Sequence, residues 1–293
     1  MNPVVKGYLR LCRPPNLPTA AADVLAGLAI AGYYTRNMPI YGNDFLLIFA
    51  SVFLYAGGVV LNDVFDAKLD AVERPERPIP SGLIPLQNAR IFGFALLALG
   101  ILLATLVSML SMVVALCLAC SILAYDAYSK NFSFLGPFNM GLCRALNLLL
   151  GITVFQSFTG VAYTVIPLLF IFAVTLVSRG EVHGNNKKNI VTAAILYSLV
   201  IVIIIVLHKA YGVGSFVYLI MLLGFAFMVF KPLRKAYLNN VPKNIMKAVK
   251  AGVLSIVLID AAIAVAHSNW QIGMLIVLFL PLSILLARLF AVT

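Results

Sequence analysis

Gly57-Gly58-Val59-Val60-Leu61-Asn62-Asp63-Val64-Phe65-Asp66-Ala67-Lys68-Leu69-Asp70 is the stretch in which an apolar run turns into a row of carboxylates. About 20 apolar residues in helical form cross a hydrocarbon core roughly 30 Å thick, and residues 43–66 make one such crossing that ends on the aspartates. Similar segments recur on either side, at 15–35, 88–108, 110–127, 138–157, 162–180, 189–207, 214–231, 244–266 and 270–290. The chain is 62% hydrophobic, against about 45–50% for soluble domains. The expectation is an all-α polytopic membrane helix bundle of nine to ten transmembrane helices. The count is ten, with nine as its rival because the junction near Leu110 fits a break in one long helix. Loops too short for a soluble unit make residues 1–293 a single integral-membrane domain. Met1 to Pro15 lacks a signal-peptide pattern, so the first helix is expected to stay.

Basic residues orient the bundle, because cytoplasmic loops retain Lys and Arg. Of the 21, 18 fall on one side: those of the N-terminus, those at 68–90, Lys130, Arg179, Lys187, Lys188, the group at 231–250, and Arg288. Arg36 and Lys209 fall on the other side, and Arg144 lies within a span. Both termini and the polar site are therefore expected on the cytoplasmic face. The formal charge of +11 is mostly this topology signal, and no basic soluble face with aromatic platforms implies nucleic acid. Cys117 and Cys120 form a CxxC inside an apolar run, and Cys12 and Cys143 complete no disulfide or zinc framework.

Only ten Asp and Glu residues exist, and Asp63, Asp66, Asp70, Glu73 and Glu76 occupy one stretch. If the helix runs on through the motif, Asn62, Asp66 and Asp70 share a face at i, i+4 and i+8, with Asp63 beside them. Clustered carboxylates repel one another unless a cation joins them, and hard oxygen donors of this type suit Mg²⁺. A magnesium diphosphate supplies that cation. Arg74-Pro75-Glu76-Arg77-Pro78-Ile79-Pro80-Ser81-Gly82 follows, with prolines stiffening the turn and arginines able to fork onto phosphate oxygens. The plainer alternative is a hydrated loop in which the acids pair with Lys68, Arg74 and Arg77.

Asn-Asp-x-x-Asp-x-x-x-Asp followed by Arg-Pro-Ile-Pro-Ser-Gly resembles the first aspartate-rich motif of the UbiA superfamily of intramembrane prenyltransferases. Arg13-Pro14-Pro15-Asn16 is similar to that family's opening, and Tyr128-Ser129-Lys130 to its Tyr-Ser signature. Arg144 and Asn147 resemble polar residues of its fifth helix that face a cavity. The resemblance implies Mg²⁺ and diphosphate held by two aspartate-rich loops and an isoprenoid tail among the helices; a second loop that repeats the motif spacing 115 residues later points to two similar four-helix halves plus C-terminal helices. It assigns metal ligation to Asn62, Asp63, Asp66, Asp70, Glu181 and Asn185, with Asp66, Asp70 and Glu181 central to catalysis. Together with the residues' own chemistry it makes Asn16, Lys68, Arg74, Arg77, Tyr128, Lys130, Arg144, Asn147, Arg179, His183 and Lys187 the candidate substrate contacts.

The second loop departs from the family pattern. Ser178-Arg179-Gly180-Glu181-Val182-His183-Gly184-Asn185 keeps the spacing of Asp63, Asp66 and Asp70, 115 residues later, but retains one carboxylate. Neutral oxygens from Ser178 and Asn185 hold a metal less tightly. Lys187 and Lys188 are alternative partners for a diphosphate. The loop resembles the branch called EboC, which implies a bacterial inner membrane. The functional expectation is Mg²⁺-dependent transfer from a polyprenyl diphosphate to an unidentified acceptor among membrane lipid. Its alternative is a non-catalytic lipid or precursor carrier on the same bundle. Asp23 and Asp260 are intramembrane acids whose role, structural or functional, the sequence leaves open.

Overall fold

A computed structural model describes residues 2–35, 42–212 and 216–290; Arg36 and the start of the 214–231 segment lie outside them. Nine helical spans among the described residues are long and apolar enough to cross a membrane. They are α3 (Asn43–Phe65), α5 (Leu86–Val107), α6 (Met109–Ala127), the span Leu135–Phe155 that opens with α7 (Leu135–Ile152), the span Val161–Ser178 that ends with α8 (Val165–Ser178), α9 (Lys187–Tyr211), α10 (Val217–Leu238), α11 (Pro242–His267), and α12 (Trp270–Val277) joined to α13 (Phe279–Leu289). Short helices α1 (Pro3–Leu11), α2 (Leu17–Ile30) and α4 (Ala67–Glu73) complete the set.

The tenth expected span is α2, whose 14 residues reach about 21 Å at 1.5 Å per residue, short of the roughly 30 Å core. Every residue of it except Leu17 is buried, because α3, α7, α11 and α13 pack around it. A helix enclosed by protein need not match the bilayer. The remaining spans follow the chain: α3 packs on α5, α5 on α6, α6 on α7, α7 on α8, α8 on α9, and α10 on α11, which returns to α2.

Close backbone approach fixes the crossing of α2 and α7. A Cβ on Gly27 would lie 2.3 Å from the Leu148 carbonyl oxygen, and one on Gly151 would lie 2.3 Å from that of Val24. Without lipid-excluding pressure between helices, such contacts and interhelical hydrogen bonds supply the cohesion.

Several boundaries differ from expectation. Near Leu110 the chain does break, at Ser108, which adopts extended backbone and accepts a hydrogen bond from the Ser111 N–H at 3.0 Å. Helix α10 continues seven residues past the expected end at 231, with Pro232 inside it. The amphipathic α1 precedes the first span, burying Gly7 and Leu11. The aspartate stretch is two helices rather than one, since Asp66 (φ −88°, ψ 2°) ends α3 and starts α4.

Candidate active site

The break at Asp66 decides where the carboxylates point. Asp63 and Asp70, about two helical turns apart across the kink, are buried and converge on Arg77, at 3.3 and 2.6 Å. Asp66 turns instead to Lys130, at 2.5 Å. The Asn62 amide donates to Asp126 at 2.8 Å. Of the basic residues in the plainer loop reading, Arg77 pairs with these acids, while Lys68 and Arg74 are exposed.

Arg13 joins from the far end of the sequence, donating to Asp63 at 2.7 Å and to Asn62 at 3.5 Å. Its backbone sits in the left-handed region (φ 48°, ψ 62°), although a following proline favours extended backbone. Strain of this kind persists where surrounding contacts over-determine it, here the ion pair and the two prolines. Burial is the largest influence and works against the Arg13 charge, but Asp63, Tyr55 and Asp70 together outweigh it and hold the guanidinium's pKa above its ordinary value.

Beneath these pairs lies a cavity of about 250 Å³ between α3, α6 and α7. Arg13, Asn62 and Asp126 line its polar part, Val59, Leu118 and Ile122 an apolar wall, and Arg144 and Asn147 belong to its α7 side. Gly57 and Gly58 divide two tasks. A Cβ on Gly57 would meet the α5 backbone at Gly93, 2.9 Å away, whereas Gly58 lines the cavity opposite Ile122.

Arg144 and Asn147 are buried in a polar network. Arg144 donates to Asp23 at 2.7 Å and to Thr19 at 2.6 Å; Asn147 donates to Asp23 at 2.8 Å and accepts from Ser51 at 2.7 Å. Asp23 thus ties α2 to α7. Asp260 of α11, 1% exposed, is buried in the interior as well.

The second loop contributes less. The Ser178 hydroxyl donates to the Thr175 carbonyl of its own helix at 2.9 Å. Asn185 is exposed beside Gly184, both at positive φ. Its neighbour Asn186 is the buried one: its backbone N–H donates to Asn240 at 2.7 Å and its amide to the Val177 carbonyl at 2.8 Å, pinning α9 to α8. Glu181 is half-buried; burial pushes its pKa up while Arg74 and Lys250 oppose the shift.

Arg179 donates to the Phe132 carbonyl at 2.7 Å and braces the turn after Lys130. Tyr128 is exposed and packs on Phe132. His183 and Lys187 are exposed, the lysine lying 5.4 Å from the Tyr237 ring centroid. The backbone carbonyl of half-buried Asn16 accepts from Thr19 at 2.7 Å. Among the described residues no three His, Cys, Asp or Glu side chains already converge as a metal cage, since the first-motif acids each face a cation. Sequence reasoning missed Arg13 and Asp126 as site residues. The available signal for Asp126 was an acid at the end of an apolar span, two positions before Tyr128.

Comparison with known proteins agrees with this architecture. The UbiA prenyltransferase family model matches residues 20–243. Digeranylgeranylglyceryl phosphate synthase of Saccharolobus solfataricus is 28% identical over 237 residues, 75% of this chain and 82% of that protein. The protein of that name from Sulfurisphaera tokodaii is 30% identical over 196 residues, 65% of this chain and 69% of its own. Among solved structures, a UbiA homolog from Archaeoglobus fulgidus bound to GPP and Mg²⁺ has a TM-score of 0.66 at 15% identity, over 88% of this chain and 99% of that one. The apo UbiA homolog from Aeropyrum pernix K1 has a TM-score of 0.69 at 16% identity, over 85% and 97%. At such identities the structural likeness speaks for the fold, and the sequence match for kinship: this integral membrane protein belongs to the UbiA prenyltransferase family.

Proposed function

We propose that the whole chain, as one domain, is a Mg²⁺-dependent prenyltransferase that moves the prenyl group of a polyprenyl diphosphate onto an acceptor within the membrane. Its site and both termini face the cytoplasm. The observation that carries this reading is the set of interlocked pairs, Arg13 and Arg77 on Asp63, Arg77 on Asp70, and Lys130 on Asp66, above an apolar-walled cavity.

The donor set fits magnesium, since Asn62, Asp63, Asp66 and Asp70 offer hard oxygens within two helical turns, and Glu181 is the charged donor of the second loop. When bound, magnesium neutralises diphosphate charge and so improves the leaving group. Arg13, Arg77 and Lys130 are the matching anion partners. Released from the aspartates, they donate to the diphosphate oxygens on which negative charge grows as the carbon to oxygen bond breaks. Val59, Leu118 and Ile122 receive the apolar tail and keep water from the allylic cation. Tyr55 and Tyr125, also in the lining, offer ring faces that a cation favours.

The test is diphosphate release from a panel of polyprenyl diphosphates by the purified protein in lipid nanodiscs, with and without Mg²⁺, beside Asp66→Ala. Magnesium-dependent release, lost at least about a hundredfold in the variant, is expected, comparable to removing a transition-state charge partner. The weakened second loop favours one other reading, a carrier. Tight donor binding without release across a broad acceptor panel would establish that instead.

A further inference from the structure

Away from the cavity, a groove runs between α9 and α10 at the end of the bundle where α9 begins and α10 ends. We propose that it holds one anionic phospholipid, with the phosphate at a basic mouth and an acyl chain along an apolar floor. The inference stands apart from the prenyl-transfer reading. The groove has a volume of about 490 Å³, within the roughly 300–1,000 Å³ usual for ligand sites. Ile190 to Ser198 of α9 run along it, about 12 Å of helix at 1.5 Å per residue. Ala194, Ile195, Phe230 and Leu233 make its floor apolar, and Arg234 and Tyr237 line it toward the end of α10. The Lys187 ammonium lies 5.4 Å from the Tyr237 ring centroid, within reach of a cation–π contact, and so joins them at the mouth.

Lys187 and Arg234 are exposed cations without a carboxylate. The ion pairs among the described residues use Arg13, Arg77, Lys130 and Arg144 instead. From Lys187 to Lys250 the chain carries nine Lys and Arg residues and no Asp or Glu. Positive-inside topology accounts for a basic end of a bundle. It does not account for an unpaired guanidinium at the head of an apolar trough. That chemistry selects the occupant. A guanidinium forks onto two oxygens of one phosphate, and an ammonium adds a point charge to a third. A free phosphate would leave the trough unfilled. A polyprenyl diphosphate travels with magnesium, and neither α9 nor α10 has a carboxylate to hold it. A zwitterionic lipid brings an ammonium that Lys187 and Arg234 repel. Because lipid tails are as apolar as the trough, discrimination falls on the head, while the trough fixes where the head sits. A lipid there bridges α9 and α10 at the end where the Asn186 N–H donates to Asn240, bracing the helices that flank the second loop.

Native mass spectrometry of the purified full chain in detergent tests this, with phosphatidylglycerol and phosphatidylcholine of identical acyl chains as probes. Each basic side chain beside an anionic head contributes about fivefold in affinity, so one phosphatidylglycerol per chain, preferred at least about tenfold over phosphatidylcholine, is expected. Lys187→Gln with Arg234→Gln should reduce that preference to within about twofold. Lys243→Gln with Lys247→Gln removes as much charge outside the groove and should leave the preference intact. Ala194→Trp fills the trough without altering charge and should weaken the binding of both lipids. Equal binding of the two lipids, an equal loss in the Lys243 and Lys247 pair, or phosphatidylglycerol undisturbed by Ala194→Trp would overturn the proposal. So would displacement of the lipid by soluble glycerol phosphate, which would establish a free-phosphate site instead.

Discussion

Replacing Arg77 by alanine removes the guanidinium that bridges Asp63 at 3.3 Å and Asp70 at 2.6 Å. Asp63 keeps Arg13 at 2.7 Å, so Asp70, with a side chain only 5% exposed, is the carboxylate left stranded. Breaking a buried pair from one side costs about 3–5 kcal/mol. Arg77 is itself 17% exposed, which points to the lower end, about 3 kcal/mol. At roughly 2–4 °C per kcal/mol for a chain of this size, the midpoint of thermal unfolding should fall by roughly 6–12 °C. Melting is followed in nanodiscs with EDTA and again with excess Mg²⁺. If the aspartates are metal ligands, magnesium supplies the missing positive charge and should restore at least half of the loss. A variant that melts with the parent in EDTA, or one that magnesium fails to restore, would refute the reasoning.

Three further outcomes are expected. Gly151→Ala places a methyl 2.3 Å from the Val24 carbonyl oxygen, with backbone on both sides, so a loss near the upper end of the roughly 1–3 kcal/mol range for overpacking should appear in the same melting assay; an unchanged midpoint would deny the close crossing. Arg144→Leu strands Asp23 and should cost about 3–5 kcal/mol, whereas Arg144→Leu with Asp23→Leu should recover much of it, because apolar replacement of both partners is far milder than removal of one; additive losses would refute the pairing. Burial raises the Glu181 pKa above its ordinary 4.5, so on acidification Glu181 takes up its proton before an ordinary glutamate would. Magnesium-induced stabilisation should therefore begin to weaken at a higher pH in the parent than in Glu181→Gln; superimposable pH curves would remove Glu181 from the metal site.

Much of the bundle was legible because membrane spans are set by local composition. A long apolar run must satisfy its backbone internally, and a helix is how one chain segment does so. Failures cluster where neighbours override that rule. The apolar segment at 214–231 is expected to end at 231, yet α10 continues through Pro232 to Leu238. Residues 15–35 read as a span, yet the helix ends at Ile30, because α2 is enclosed by other helices rather than by lipid.

The site divides in the same way. Asn62, Asp63, Asp66 and Asp70 are adjacent in sequence, so their concentration of charge is visible without structure, and so is the thinning of carboxylates in the second loop. Which cation meets which acid is not visible. Lys130 lies 64 positions from Asp66 and Arg13 lies 50 from Asp63, and the kink at Asp66 sends neighbouring carboxylates to different partners. Asp23, Arg144 and Asp260 read singly as expensive intramembrane groups, and Asp126 was not read at all. Sequence alone determined a helical membrane protein with a hard-oxygen cluster at one end of the bundle, because hydropathy and local charge are properties of contiguous residues. Only the tertiary structure decided that the buried charges are matched across helices and that Asp126 keeps an unmatched oxygen in the cavity, because pairing in low dielectric depends on distances between segments far apart in the chain.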